Sequence, residues 1–271
     1  MFQGLYSLSP PTLPVPSHDS PSPNSQEQQI GQWHIYNALD DVADEVMQSM
    51  AEFGLYKAQI DCPVSQKACV DARGKDSAAW ALDKYKFLHI LQRAWQMRTG
   101  RQWYVFAEAD TYIFWPNLVT FLRGHLDSRE AAYVGSVSLI NNFPFAHGGS
   151  GYVISGEAVN QIVERHADVA ATFDKRAREL CCGDLMLAMA LDETTGVRVQ
   201  QAHPMFNGEK PVTMPFGATH WCEPIFTMHH LNSEEISAVW QYEQTRKGSV
   251  SFVCVCVCVC VSERERERER H

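Results

Sequence analysis

An excess of positive charge is the first thing this 271-residue sequence lacks: 23 Lys and Arg stand against 32 Asp and Glu, a formal charge of −9. A basic footprint for nucleic acid is absent, and attraction to an anionic membrane surface is disfavoured for the same reason. Long apolar runs are missing too. No stretch approaches the ~20 residues of a membrane-crossing helix, and the first residues lack the basic-then-apolar order of an export signal. There is no glycine loop ending in Lys-Ser or Lys-Thr and no His-Glu-x-x-His pattern, so a P-loop and a zinc-hydrolase centre of that type both drop out. What is present is an ordinary soluble, globular composition, 45% hydrophobic and 11% aromatic, in a chain long enough for one large domain or two small ones.

The two ends differ from the middle. Residues 1–27 hold much of the chain's Pro and Ser (Pro10, Pro11, Pro14, Pro16, Pro21, Pro23), a composition that cannot repay its ordering entropy by burial, and read as disordered. Residues 247–271 are low in complexity: Val and Cys alternate from Val253 to Val261, and four Glu-Arg repeats follow. Adjoining GTGTGT and GAGAGA tracts encode such a pair of patterns, so the tail reads as a translated dinucleotide repeat. Setting it aside leaves the charge balance unchanged and lowers the cysteines from nine to five. The folded domain is expected over residues 28–246.

Within that domain the hydrophobic period changes along the chain. Ile35, Leu39, Val42, Val46 and Met50 recur three or four apart and predict an amphipathic helix from about Ile30. A second helix is expected from about Ser77 to Met97, with Trp80, Leu88, Leu91 and Trp95 on its apolar face and Gly100 beyond its end. The run Trp103 to Ala107 is continuous and rich in aromatic and β-branched residues, which predicts a strand covered on both faces. Tyr133–Val137 and Gly151–Ile154 read as further strands, Gly156–His166 and Leu185–Leu191 as helices, and Val197–Val199 as an edge strand before a Pro- and Gly-rich loop reaching Trp221. The class is α/β, with a mixed, mostly parallel sheet flanked by helices.

Four constellations carry chemistry. Glu108 and Asp110 place two carboxylates at the C-terminal end of a predicted strand, where open α/β sheets bind ligands; the alternative is a turn cap beside a solvated strand end. His147 to Tyr152 is a glycine-rich turn containing Gly148, Gly149 and Gly151; it serves either close backbone approach to a ligand or a tight connection. Asp184 stands at the start of an apolar helix, where an N-cap is the plainest role. His229 and His230 are adjacent imidazoles after a loop, able to complete a metal site or simply to pack.

In this order, Trp103–Tyr112, His147–Tyr152, Gly183-Asp184 and His229-His230 resemble the Asp-x-Asp strand, the Gly-Gly-x-Gly-Tyr loop, the acidic residue before a helix and the C-terminal histidine of Fringe-like and core 1 β-1,3-galactosyltransferase-like enzymes, the family 31 type of glycosyltransferase. The wording Glu-Ala-Asp-Thr-Tyr, Asn207–Pro211 and Trp221–Pro224 is most similar to the fungal branch, and the likeness spans about Gln28 to Gln244. The resemblance implies a GT-A-like (Rossmann-like) fold, an inverting transfer, a UDP-sugar donor, a glycan or glycoprotein acceptor and Mn²⁺. Carried over residue by residue, Asp110 and His229 or His230 are metal ligands, Glu108 reaches ribose or metal-bound water, Gly148, Gly149 and Gly151 admit donor or acceptor sugar, Trp221 offers a platform for a sugar face, and Asp184 is the base.

The resemblance also implies a secretory or Golgi location, with membrane contact only through an N-terminal anchor that this chain does not display. It starts where the first βα unit should already be complete, so that unit is expected to be missing. The competing reading is therefore a non-catalytic remnant unable to hold a UDP-sugar. Among the cysteines, Cys62 and Cys69 are spaced for a local disulfide and Cys222 is placed to pair with Cys181 or Cys182; five reduced thiols are the alternative.

Overall fold

The computed structural model describes residues 28–30, 33–60, 80–215, 217, 220 and 223–245. In chain order the elements are β1 (Gln28–Ile30), β2 (Trp33–Ile35), α1 (Asp44–Ser49), α2 (Phe53–Ile60), α3 (Phe87–Met97), β3 (Trp103–Phe106), β4 (Tyr112–Ile113) and α4 (Trp115–His125). There follow β5 (Tyr133–Gly135), β6 (Val137–Ile140), β7 (Phe143–Ala146), β8 (Tyr152–Ser155), α5 (Gly156–Arg165), α6 (Val169–Arg176), α7 (Gly183–Thr195), β9 (Val199–Gln201), β10 (Thr227–Met228) and α8 (Ser233–Thr245). The chain divides into two compact units, Met1–Arg101 with Val159–Thr195, and Gln102–Ala158 with Gly196–His271. The Pro/Ser-rich segment, the repeat tail, Trp221, Cys62, Cys69 and Cys222 lie outside the described residues.

Among its described residues, the first unit is helical apart from turns and the β1/β2 hairpin, in which Gln29 pairs with His34. The helix expected from Ile30 to Met50 is replaced by this hairpin, a run of turns and the short α1. The cause is local. Asn37 Oδ1 accepts the Leu39 N–H while its Nδ2 donates to Asp40 and to the Tyr56 hydroxyl. Side-chain bonds of this kind offer the backbone an alternative to helix. Leu39, Val42 and Val46 are still buried, so their spacing reports burial by turns rather than one helical face.

The second predicted helix is interrupted as well: residues 80–83 are helical, 84–86 form a turn, and α3 begins at Phe87. Trp80, expected on the apolar face, is 56% exposed. The interruption brings Lys84 Nζ to 2.8 Å from Glu52 and lets the Tyr85 hydroxyl donate to the same carboxylate at 3.0 Å. From α3 the side chains of Phe87, Leu88, Ile90, Leu91, Ala94 and Trp95 are buried, and the helix packs on α6 and α7. A buried pair crosses this interface, with His89 Nε2 2.8 Å from Asp174 Oδ2.

The second unit carries the sheet, in the order β3-β8-β5-β9. β8 runs antiparallel to both β3 and β5, while β5 and β9 pair in parallel. The fold is mixed α/β as expected, but the pairings are mainly antiparallel: three strands share a direction and β8 is inserted between two of them. Two further expectations change. Among the described residues β3 lies at the edge of this sheet, with Tyr104 and Phe106 buried and Trp103 and Val105 half-buried, rather than covered on both faces. The strand expected over Tyr133–Val137 stops at Gly135, and a new hairpin of β6 with β7 starts at Val137, turning on Asn141 and Asn142 with φ of 50° and 62°. Asn tolerates that left-handed region better than most residues. Leu118 and Leu122 of α4 pack with Val134, Val153, Phe206 and Phe226 as the core.

The cysteines depart from expectation. Cys181 and Cys182, adjacent in the chain with Cα atoms 3.8 Å apart, are bonded to each other, so neither pairs with Cys222.

Candidate functional site

The site grows out of the end of β3. After Phe106 the chain makes a turn through Glu108 to Thr111, the Thr111 N–H donating to the Glu108 carbonyl, and then enters β4. β4 pairs antiparallel with β10 in the register Met228↔Tyr112 and Thr227↔Ile113. That register carries the chain after Met228 alongside the acidic turn, and the Leu231 N–H donates to the Asp110 carbonyl at 3.1 Å. Two residues distant in sequence are thereby held together. His229 Nε2 lies 3.3 Å from Asp110 Oδ1 and 3.5 Å from Glu108 Oε2, and His230 Nδ1 lies 3.9 Å from Asp110 Oδ2.

The glycine turn forms the other wall. The Thr111 hydroxyl donates to the Gly149 carbonyl at 2.9 Å, and the Gly151 N–H closes the turn on Gly148. Gly149 has a steric reason to be glycine, because a methyl group there would sit 2.2 Å from Cε1 of His229. Gly151 has a conformational one, with φ of +74°. Both glycines thus approach the chain itself: Gly149 meets His229, and Gly151 meets the Phe106 carbonyl and Thr227. His147 completes the wall. Its Nδ1 accepts the Ser150 N–H, and its ring stands edge-on to His229 with centroids 5.8 Å apart.

Electrostatics follow from burial. His229 is 4% exposed, and desolvation pulls its imidazolium down; the Glu108 and Asp110 carboxylates, with the Gly208 carbonyl, more than offset this and leave it above the ordinary histidine value. Asp110 Oδ1 and His229 Nε2 are both shut off from solvent without a hydrogen bond of normal geometry. Buried polar atoms left this way are costly, and a shared cation removes the cost. The 3.3 Å between them is a separation that two ligands of one first-row divalent cation keep when each lies about 2.1 Å from it. Asp110, His229 and His230 each offer a ligand atom, all within 4.8 Å of one another. His230 also holds φ of 61°, a left-handed backbone that is uncommon for a non-glycine residue and recurs at functional sites.

Of the residues singled out in the sequence, Glu108, Asp110, Gly148, Gly149, Gly151, His229 and His230 all belong to this one cluster of the second unit. Asp184 lies in the first unit, at the start of α7, where its Oδ1 accepts the Leu185 N–H at 2.8 Å. Sequence reasoning missed the residues that tie the site together. Thr227, 1% exposed, donates from Oγ1 to the Ser150 carbonyl at 2.6 Å and accepts the Asn207 N–H at 3.1 Å. The Thr111 hydroxyl, bonded to the Gly149 carbonyl, acts similarly. A hydroxyl that bonds across the fold leaves no spacing pattern, so no local signal marks them.

Fold and site together define a mixed α/β protein with a carboxylate-histidine cluster at the end of a strand. The Fringe-like family model matches residues 73–211, more than half of the chain, and the protein belongs to this family of glycosyltransferases, which take UDP-sugar donors and work in the secretory pathway. The matched segment contains the acidic turn, the glycine turn and Asp184; His229 and His230 lie beyond it. A search of curated proteins gives no match. Among the described residues no helix is long and apolar enough to cross a membrane.

Proposed function

We propose that this chain is a metal-dependent inverting hexosyltransferase that moves galactose or an N-acetylhexosamine from a UDP-sugar to a hydroxyl of a glycan or glycoprotein. The observation that carries the reading is the cluster of Asp110, His229 and His230, with two buried ligand atoms facing each other unsatisfied. This mixed oxygen and nitrogen donor set suits Mn²⁺ better than Mg²⁺. A divalent cation held there neutralises charge on the departing diphosphate. Asp110 Oδ1 and His229 Nε2 are the inner ligands and His230 Nδ1 the exposed third, while Glu108 orients His229 and reaches ribose or bound water. Gly149 keeps the His229 imidazole seated, and Gly148 and Gly151 shape the turn beside which the sugar lies.

Inversion needs a base on the acceptor hydroxyl, on the face opposite the leaving group. Asp184 has that role: it takes the hydroxyl proton while the acceptor oxygen bonds to the anomeric carbon and the bond to UDP breaks. The reading places the protein in the Golgi membrane or lumen, with a β-1,3 linkage as the first to test.

The test is UDP release from a panel of UDP-hexoses with Mn²⁺ and candidate acceptors. Release by the wild type that is lost in both Asp110→Ala and Asp184→Asn is the expected result. A folded wild-type chain that binds no UDP-sugar overturns the reading and leaves a non-catalytic family member.

A further inference from the structure

We propose that the Cys181–Cys182 disulfide is a thiol-exchange site, taking small or protein dithiols as reductant, whose state sets the start of α7 and so the position of Asp184. The link to Asp184 rests on the role proposed above; the exchange site itself does not.

Three observations carry this. First, the bond closes the shortest loop a disulfide can close, one peptide unit between neighbouring residues. The entropy removed from an unfolded chain grows with loop length, so this bond contributes little as a staple. What it does fix is the backbone between the two residues, because that peptide lies inside the ring. Second, Cys181 is exposed and open to an attacking thiolate. Third, the ring abuts a helix start that has no slack. The Cys182 carbonyl accepts the Met186 N–H at 3.1 Å, as the first backbone bond of α7. Gly183 follows, so tightly set against Phe87 that a methyl group would lie 2.2 Å from the ring, and then comes Asp184. A change in the Cys181–Cys182 peptide is therefore taken up at Cys182 and Asp184 rather than absorbed by Gly183.

The chemistry balances with a dithiol. One thiolate of the reductant attacks Sγ of Cys181, and the electron pair of the disulfide leaves on Cys182, which takes a proton. The second thiol of the reductant then displaces Cys181 as its thiol, and the reductant departs as a disulfide.

The experiment uses the full chain, before and after dithiothreitol, with Cys181→Ser and Cys181→Ser/Cys182→Ser beside it. Thiol blocking and peptide mapping are expected to find the 181–182 bond in the untreated protein and two blocked thiols after reduction. Hydrogen exchange at the Met186 amide is expected to be about tenfold faster in the reduced protein and in both variants. UDP-sugar turnover is expected to fall several-fold in the same samples, with Mn²⁺-dependent UDP affinity unchanged. Blocked thiols at both positions before reduction, a bond from either cysteine to a third, or Met186 exchange unchanged on reduction overturns the proposal. Faster exchange with turnover absent from every form, untreated wild type included, supports the exchange site and counts against the role given to Asp184.

Discussion

Gly149→Ala probes the site through a single methyl group. The added carbon would meet Cε1 of His229 at 2.2 Å, Nε2 at 2.6 Å and Nδ1 at 2.7 Å, where ordinary contact begins near 3.4 Å. More than 1 Å of movement is required. The imidazole cannot swing into solvent, being 4% exposed, and the turn cannot retreat freely, because the Gly149 carbonyl is held by Thr111 and the Gly151 N–H by Gly148. Overpacking of this kind costs about 1–3 kcal/mol of stability. The sharper consequence is at the proposed cation site. His229 Nε2 stands 3.3 Å from Asp110 Oδ1, and a shift of 1 Å on one side takes the pair outside the tolerance of a shared cation. Mn²⁺ affinity should fall by about 10–100-fold, or ~1.4–2.7 kcal/mol. Electron paramagnetic resonance of free Mn²⁺ measures it, with a thermal melt as the control for folding. A folded Gly149→Ala protein that binds Mn²⁺ within about twofold of wild type would refute the claim that Gly149 seats a ligand.

Three further outcomes are expected. Thr227→Val should destabilise by about 2–4 kcal/mol in chemical denaturation, because the Asn207 N–H and the Ser150 carbonyl lose a shared buried partner, and Thr227→Ser should recover most of it. Glu52 is pushed up by burial but held below the ordinary carboxylate value by Lys84 and Tyr85, so the pair contributes stability above pH ~4.5 that is lost as pH falls; Glu52→Gln should cost about 1–2 kcal/mol at neutral pH and flatten the acid limb, read from denaturation midpoints between pH 3 and 7. Burial pulls His229 down, but Glu108 and Asp110 hold it above the ordinary histidine value, so a proton on its imidazole competes with the proposed Mn²⁺. Its affinity should decline about tenfold per pH unit on acidification, beginning above pH 6.5, and a titration followed at several pH values that shows no decline down to pH 5.5 would contradict this.

Much of the fold was legible where burial and period coincide. Tyr152–Ile154 is continuous in apolar residues because β8, an inner strand, is buried along its whole length. The Gly156 helix could be read because Ala158, Val159, Ile162 and Val163 recur at helical spacing on its buried face. The segment from Ile30 to Met50 misled because turns bury Leu39 and Val42 at helical spacing, with Asn37 organising the backbone locally. Trp80 misled because residues 84–86 break the helix that would have carried it inward. The acid pair and the histidines could each be named from sequence, but their meeting could not, since it depends on the register of two-residue strands, β4 on β10, more than a hundred residues apart. The Cys181–Cys182 bond was not legible because spacing left Cys222 free to pair with either of the two and offered reduced thiols as the alternative.

The central claim is that Asp110, His229 and His230 hold a divalent cation that in turn holds UDP. Calorimetric titration of UDP into the purified chain, with and without Mn²⁺, beside Asp110→Ala, tests it most directly. The account predicts about micromolar binding that needs Mn²⁺ and disappears in the variant. UDP bound equally well without metal, or by Asp110→Ala, would contradict it.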